Sequence, residues 1–289
     1  MKKILLGLLL AFSAFGNPVS AQKRSAKGGS MVRIPGGTFK MGTQTSRISQ
    51  IAEAFNIKEH SDLIQAETPQ HTVTLSPFYM DKYEVTNALF ADFLKKNPKW
   101  TAAQAPKQFD NGNYLKDWND TNFPKDKADF PVVNVSWYAA VAYCRSVGKR
   151  LPTEAEWEFA ARSGITDKDF PWGNEPVDKS RANYGGSKLN TTVAVGSYAA
   201  NGYGLFDMAG NVWEFMADEW QPYADAAQIN PVAGGNLFLD DSFLNVTTRR
   251  VIRGGSWGGG PLNLRVTYRD SHPPNGARDF VGFRCGKQK

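Results

Sequence analysis

The 289-residue chain carries 34 Lys and Arg against 28 Asp and Glu, a formal net charge of +6, with 41% hydrophobic and 12% aromatic residues. That apolar content supports a substantial core in one large domain or two small ones and argues against disorder. The charges are interspersed, with no basic block beyond pairs such as Arg249-Arg250, so nucleic acid is excluded as an expected partner.

The N-terminus combines Lys2 and Lys3, an apolar run from Ile4 to Phe12, and Val19-Ser20-Ala21 before Gln22. This is the form of a secretory signal cleaved after Ala21. The run is far shorter than a bilayer span, so no transmembrane segment is expected, and no cysteine near the cleavage point offers a lipid anchor. The protein is therefore expected to be exported, periplasmic or secreted. Residues 22–30 are small, polar and basic and read as a flexible leader. With no linker and no internal repeat, residues 31–289 read as one domain.

In chain order, Met31 to Gly42 alternates apolar and polar residues around Pro35-Gly36-Gly37, the pattern of a hairpin. Ile48, Ile51, Ala52 and Phe55 fall at helical spacing within Ser46–Gln65, which reads as an inserted surface helix. His71–Leu75 and Phe78–Val85 are strand-like, and a helix capped at Thr86 or Asn87 follows to Leu94. Residues 95–129 read as a long ordered loop. Pro131–Val135 is a short strand, and Ser136 caps a helix over Trp137–Val147 that ends at Gly148. A further helix follows Leu151, with Thr153 as N-cap and Glu156 completing a capping box, and Ser163-Gly164 stops it. Its Glu154, Glu156 and Glu158 invite an acid/base role, but carboxylates in a first helical turn are already favoured by capping and the macrodipole. From Phe170 onward short strands and turns prevail, and eight tryptophans imply a core held by aromatic packing.

The stretch Asn201–Phe215 gathers Asp207, Glu214, Asn201, Asn211 and three glycines. Asp207 and Glu214, spaced around Gly210, can bring hard oxygen ligands to one point, as Ca²⁺ requires. Equally, Asp207 and Asn211 can close turns on their own backbone while Glu214 meets an arginine. Two cysteines, Cys144 and Cys285, make a candidate disulfide in an exported chain. The three histidines, His60, His71 and His272, show no metal-type pairing.

Taken together, Ile34–Gly42, Glu84-Val-Thr-Asn87, Val133–Trp137, Arg150–Glu158, Asn201–Phe215, Arg253-Gly-Gly-Ser-Trp257 and Gly282-Phe-Arg-Cys285 resemble, in order, the formylglycine-generating enzyme (sulfatase-modifying factor) domain family. The resemblance spans nearly the whole mature chain. It implies a single α+β domain of the C-type-lectin-related type with low regular secondary structure. It implies a structural Ca²⁺ held by Asp207, Gly210, Val212 and Glu214, the middle two through backbone carbonyls, and a Cys144–Cys285 disulfide. A second family calcium site begins at the position of Asn183 and Tyr184, but its downstream carboxylate has no clear counterpart between Gly185 and Tyr198.

The family's enzymes bind Cu(I) through two cysteines just after Gly-Gly-Ser-Trp and use it with O₂ to convert a substrate cysteine to formylglycine. Thiolates suit Cu(I). Here that segment is Gly258-Gly-Gly-Pro-Leu-Asn-Leu-Arg265, shorter and without cysteine, histidine or methionine, so no copper is expected. The chain resembles cysteine-less members carried on exported bacterial proteins, in which the domain binds or assembles. On this reading Trp213, Ser256, Trp257, Arg265 and Arg269 fall near the former active-site cleft. Arginine flanked by tryptophan suits a peptide, carboxylate or sugar, and a protein or peptide partner is expected. The competing reading makes these arginines structural ion pairs and the tryptophans core.

Overall fold

The computed structural model describes residues 28–235 and 240–288. The signal segment and most of the leader lie outside the described residues. Ten short strands and five helices alternate with long turns: β1 (Met31–Ile34), β2 (Gly37–Met41), α1 (Ile48–Ala54), α2 (Asp62–Gln65), β3 (His71–Leu75), β4 (Phe78–Asp81), α3 (Asn87–Lys96), α4 (Trp137–Ser146), α5 (Glu154–Arg162), β5 (Trp213–Glu219), β6 (Gln228–Ile229), β7 (Arg250–Arg253), β8 (Arg269–His272), β9 (Val281–Gly282) and β10 (Gly286–Gln288). They form one mixed α+β domain with three small sheets, ordered β1-β4-β10, β2-β3-β6 and β8-β7-β5-β9.

The expected hairpin at 31–42 does not form. β1 pairs antiparallel with β4, Met31 opposite Asp81, whereas β2 pairs with β3, Gly37 opposite Leu75. Pro35-Gly36 instead carries the chain from one sheet to the next. Gly36 has φ +72°, and a Cβ there would lie 2.5 Å from the Leu75 carbonyl oxygen, so only glycine makes this crossing.

The helices start where their caps place them. Thr86, Ser136 and Thr153 each accept from the backbone N–H three residues on, and Glu156 closes the capping box at Thr153. Ser163, in left-handed conformation at φ +49°, ends α5. Helices α3 and α4 bury Phe90, Phe93, Tyr143 and Trp137 in the larger core, and α5 lays Trp157, Ala160 and Ala161 into a second core beneath β2, β3 and β7. The 46–65 insertion forms the short helices α1 and α2, and its apolar face packs against the domain. Ile48, Ile51, Ala52 and Ile64 are buried, and Phe55 packs edge-on against Phe170.

The Cys144–Cys285 disulfide ties α4 to the last strand, with a Cα–Cα distance of 5.8 Å across 141 residues of sequence. In the β8-β7-β5-β9 sheet, β5 pairs antiparallel with β7 and parallel with β9. That pairing sets Glu214 between Arg253 and Gly282, so the Asn201–Phe215 stretch enters the sheet next to the Gly-Gly-Ser-Trp turn. No helix among the described residues is long and apolar enough to cross a membrane.

Candidate functional site: a cleft at Trp257 beside a buried carboxylate cluster

The turn after β7 is held by backbone bonds. Trp257 N–H donates to the Asn211 carbonyl at 3.0 Å, Gly259 N–H to the Ser256 carbonyl at 3.0 Å, and the Gly259 carbonyl accepts from Gly185 N–H at 2.9 Å. Trp257 Nε1 donates to the Asp279 carbonyl at 3.0 Å, which lays the indole along one wall of a cavity of about 510 Å³. Trp118, Phe130, Asp117, Asn134 and Asp279 also line it. Asn134 is 2% exposed and its Nδ2 donates to Asp117 Oδ2 at 3.2 Å, but its Oδ1 has no partner. A buried acceptor left open costs free energy until a donor meets it. The cavity therefore offers an aromatic wall near two acidic side chains, Asp117 and Asp279.

Of the five side chains expected at the cleft, Trp257 lines it. Trp213 is buried on β5 against Tyr268, with ring centroids 6.0 Å apart, and Ser256 is buried in the turn. The two arginines do not line this cavity. Arg265 holds Glu67 with both terminal nitrogens, at 2.7 and 3.1 Å. Arg269 grips Glu154 at 2.8 and 2.7 Å and donates to the carbonyls of Ala66 and Gln221. Burying a guanidinium demands a carboxylate with matched geometry, and each has one. Both are structural ion pairs, which corrects the cleft assignment.

The α5 glutamates serve the same purpose. Glu156 takes Arg150 and the Thr153 N–H, Glu154 takes Arg269, and Glu158 lies between Arg162 (2.8 Å) and Arg253 (2.5 Å) while accepting from Gly42 N–H. Burial alone would push the Glu158 carboxyl up, but Arg162 and Arg253 together hold it below the usual carboxylate range.

The residues after Trp257 do not fit Cu(I). The chain's two thiols form the buried disulfide, and Gly258–Leu264 offers only backbone, one amide and aliphatic groups. No soft donor is available there.

The segment resembling a calcium loop is built differently from its expected form. Asp207 (φ +54°) and Asn211 (φ +60°) are left-handed turn residues, and Gly210 (φ +83°) passes so close to Asn183 that a Cβ would lie 2.3 Å from its carbonyl oxygen. Val212 is fully buried. Glu214 meets an arginine: Arg284 Nε and Nη2 each donate to it at 2.7 Å, and Trp157 Nε1 adds a bond at 3.0 Å. Asp207 Oδ2 accepts from Gly196 N–H at 2.6 Å, while its Oδ1 has no partner. Close by, Glu84 Oε1 accepts from Asn211 Nδ2 at 3.0 Å and its Oε2 has no partner. Burial first, and then each other's charge in the case of Glu84, pushes both carboxyls up from their ordinary values. Glu84 sits in the Glu84-Val-Thr-Asn87 segment but was not expected in this cluster. Its partners lie more than a hundred residues away, so no local pattern announces it. Among the described residues no three His, Cys, Asp or Glu side chains are placed to hold a metal ion together.

This mixed fold, with its disulfide-tied core and its cleft beside the Gly-Gly-Ser-Trp turn, is that of the formylglycine-generating type. Residues 16–289 match the sulfatase-modifying factor enzyme 1-like domain, and the chain belongs to that family. It is 34% identical over 318 residues to a formylglycine-generating enzyme of Thermomonospora curvata, covering 94% of this chain and 97% of the relative. It is 32% identical over 298 residues to the mouse protein named inactive C-alpha-formylglycine-generating enzyme 2, covering 88% and 84%. Among solved structures, variable protein 1 of Treponema denticola shares the fold with a TM-score of 0.65 at 24% identity, over 92% of this chain and 99% of that one.

Proposed function

We propose that this protein is an exported binding or assembly component of the cell envelope that keeps the formylglycine-generating fold without the oxidase activity. One observation carries the reading: the chain's two thiols are bonded to each other in the core, and the segment after Trp257 holds no cysteine, histidine or methionine. The family includes relatives of both kinds, one named for the activity and one named inactive. The missing soft donors in this chain support the inactive reading.

On this reading the Trp257 cavity receives a protein or peptide partner. Trp118, Phe130 and Trp257 supply aromatic lining beside the carboxyls of Asp117 and Asp279, which suits an apolar or basic side chain of a partner. The signal at residues 1–21 would deliver the protein to the periplasm or beyond, and a structural Ca²⁺ would lie in the Asp207 loop. The opposing reading is an oxidase of the family acting through a non-standard site, and overall similarity to the Thermomonospora enzyme favours it.

Titration of the oxidised mature protein with Cu(I) against the competing chelator bicinchoninate separates the two. The proposal expects all copper to remain with the chelator. A stoichiometric Cu(I) complex on the protein would overturn it.

A further inference from the structure

We propose that the cavity between α5 and the 221–233 segment is a second ligand site, which takes a primary ammonium group on an aliphatic chain with Asp218 as its counter-charge. Free alkylamines and lysine side chains share this chemistry. The site has no lining residue in common with the Trp257 cavity and does not depend on the reading of that cavity.

The cavity has a volume of about 440 Å³, within the range of small-ligand sites. Four ionisable side chains line it, His71, Glu154, Asp218 and Arg269, and each is 5% exposed or less. Three of these have partners. Glu154 and Arg269 cancel each other through bonds of 2.8 and 2.7 Å, and the guanidinium lies against the Tyr223 ring. His71 Nδ1 donates to the Pro69 carbonyl at 3.1 Å, and the imidazole packs edge-on against Tyr223.

Asp218 differs. Its oxygens accept from the backbone N–H groups of Ala233 at 2.9 Å and Glu154 at 2.7 Å, so the carboxyl is oriented but not neutralised. Glu154 and Glu156 add like charge around it. Arg250, the cation within electrostatic reach, pairs with Glu219 at 3.9 Å instead. A buried carboxylate stays costly until a positive charge meets it. Burial, and then Glu154, push this carboxyl up to about 7, so a proton fills that role below neutral pH. An ammonium entering the cavity takes the proton's place.

The remaining lining suits a methylene chain. Met41 is buried, Pro222 and Val232 are exposed and half-buried, and Ile229 on the edge strand β6 is 77% exposed. Apolar walls beside a buried carboxylate match an alkyl stem that ends in a charged head. A metal ion is a poorer fit, since among the described residues no three His, Cys, Asp or Glu side chains are placed to hold one.

The test is calorimetric titration of the mature protein at about pH 8 with cadaverine and, separately, with the blocked peptide acetyl-Gly-Lys-Gly-amide, using pentane-1,5-diol as the uncharged control. At least one amine probe should bind one-to-one and the diol should not. Tighter cadaverine marks a free alkylamine as the ligand, and a tighter peptide marks a lysine side chain. Asp218→Asn should weaken the amine at least tenfold. Should that variant not fold, wild type supplies the same test: at about pH 6 Asp218 is mostly protonated while an alkylammonium keeps its charge, so binding should weaken about tenfold. No binding by either amine, equal binding of the diol, wild-type affinity in Asp218→Asn, or affinity unchanged with pH overturns the proposal. None of these results bears on the copper titration.

Discussion

Two polar regions lie buried in this domain, and they are balanced in opposite ways. Around α5, β7 and β8 three buried arginines have each found a carboxylate: Arg253 with Glu158, Arg269 with Glu154, Arg265 with Glu67. Around Glu84 and Asp207 the carboxylates outnumber the cations, and oxygens are left open. The first region is closed structure, in which these three guanidinium groups are neutralised by carboxylates. The second has a deficit of positive charge that the described residues do not fill.

The contrast predicts opposite outcomes for similar substitutions. Glu158→Gln removes one partner of a closed network and leaves Arg253 buried without its carboxylate. Chemical denaturation should show a loss of about 3–5 kcal/mol. A loss under about 1 kcal/mol would mean the network is not the support described here.

Asp218 sharpens the comparison from within the arginine-rich region. Its oxygens accept from the backbone N–H groups of Glu154 and Ala233, and among the described residues no ion pair closes on it. Burial, with the Glu154 charge behind it, pushes its carboxyl up to about 7. The folded state then holds a proton that the unfolded state releases near the ordinary Asp value. Stability from this group is full below that value and is lost as pH rises toward 7. Asp218→Asn should remove up to about 1.4 kcal/mol per pH unit of that decline, read from denaturation midpoints at several pH values. An unchanged slope would contradict the assignment.

The smallest effect has the reverse sign. Glu84→Gln replaces a carboxyl that burial and then Asp207 push toward its neutral form, and keeps the acceptor for Asn211. It should leave stability unchanged or raise it by roughly 1 kcal/mol. A loss as large as that of Glu158→Gln would show that the Glu84 carboxyl is held by a cation as Glu158 is.

How much of this was legible in the sequence follows the range of the interactions. The caps at Thr86, Ser136 and Thr153 act over three residues, and the helices they start are where the sequence places them. The disulfide was legible because the sequence has only two cysteines to pair. The strands at 31–42 were misread as a hairpin because their partners, β3 and β4, lie beyond an insertion and outside any local pattern. Arg265 and Arg269 were placed in the cleft because an arginine near a tryptophan looks like recognition. Their carboxylates lie 198 and 115 residues away, and only the fold brings them together. Glu214 was readable both as a ligand and as the partner of an arginine, and in the structure the arginine has it.

The most direct test of the central claim is mass spectrometry of a cysteine-containing sulfatase-motif peptide incubated with mature protein, Cu(I), a reductant and O₂, with an active family enzyme run in parallel. The account predicts that the peptide cysteine stays unmodified while the control enzyme converts it. Formylglycine formed above a protein-free blank would contradict the account and require copper ligands other than cysteine.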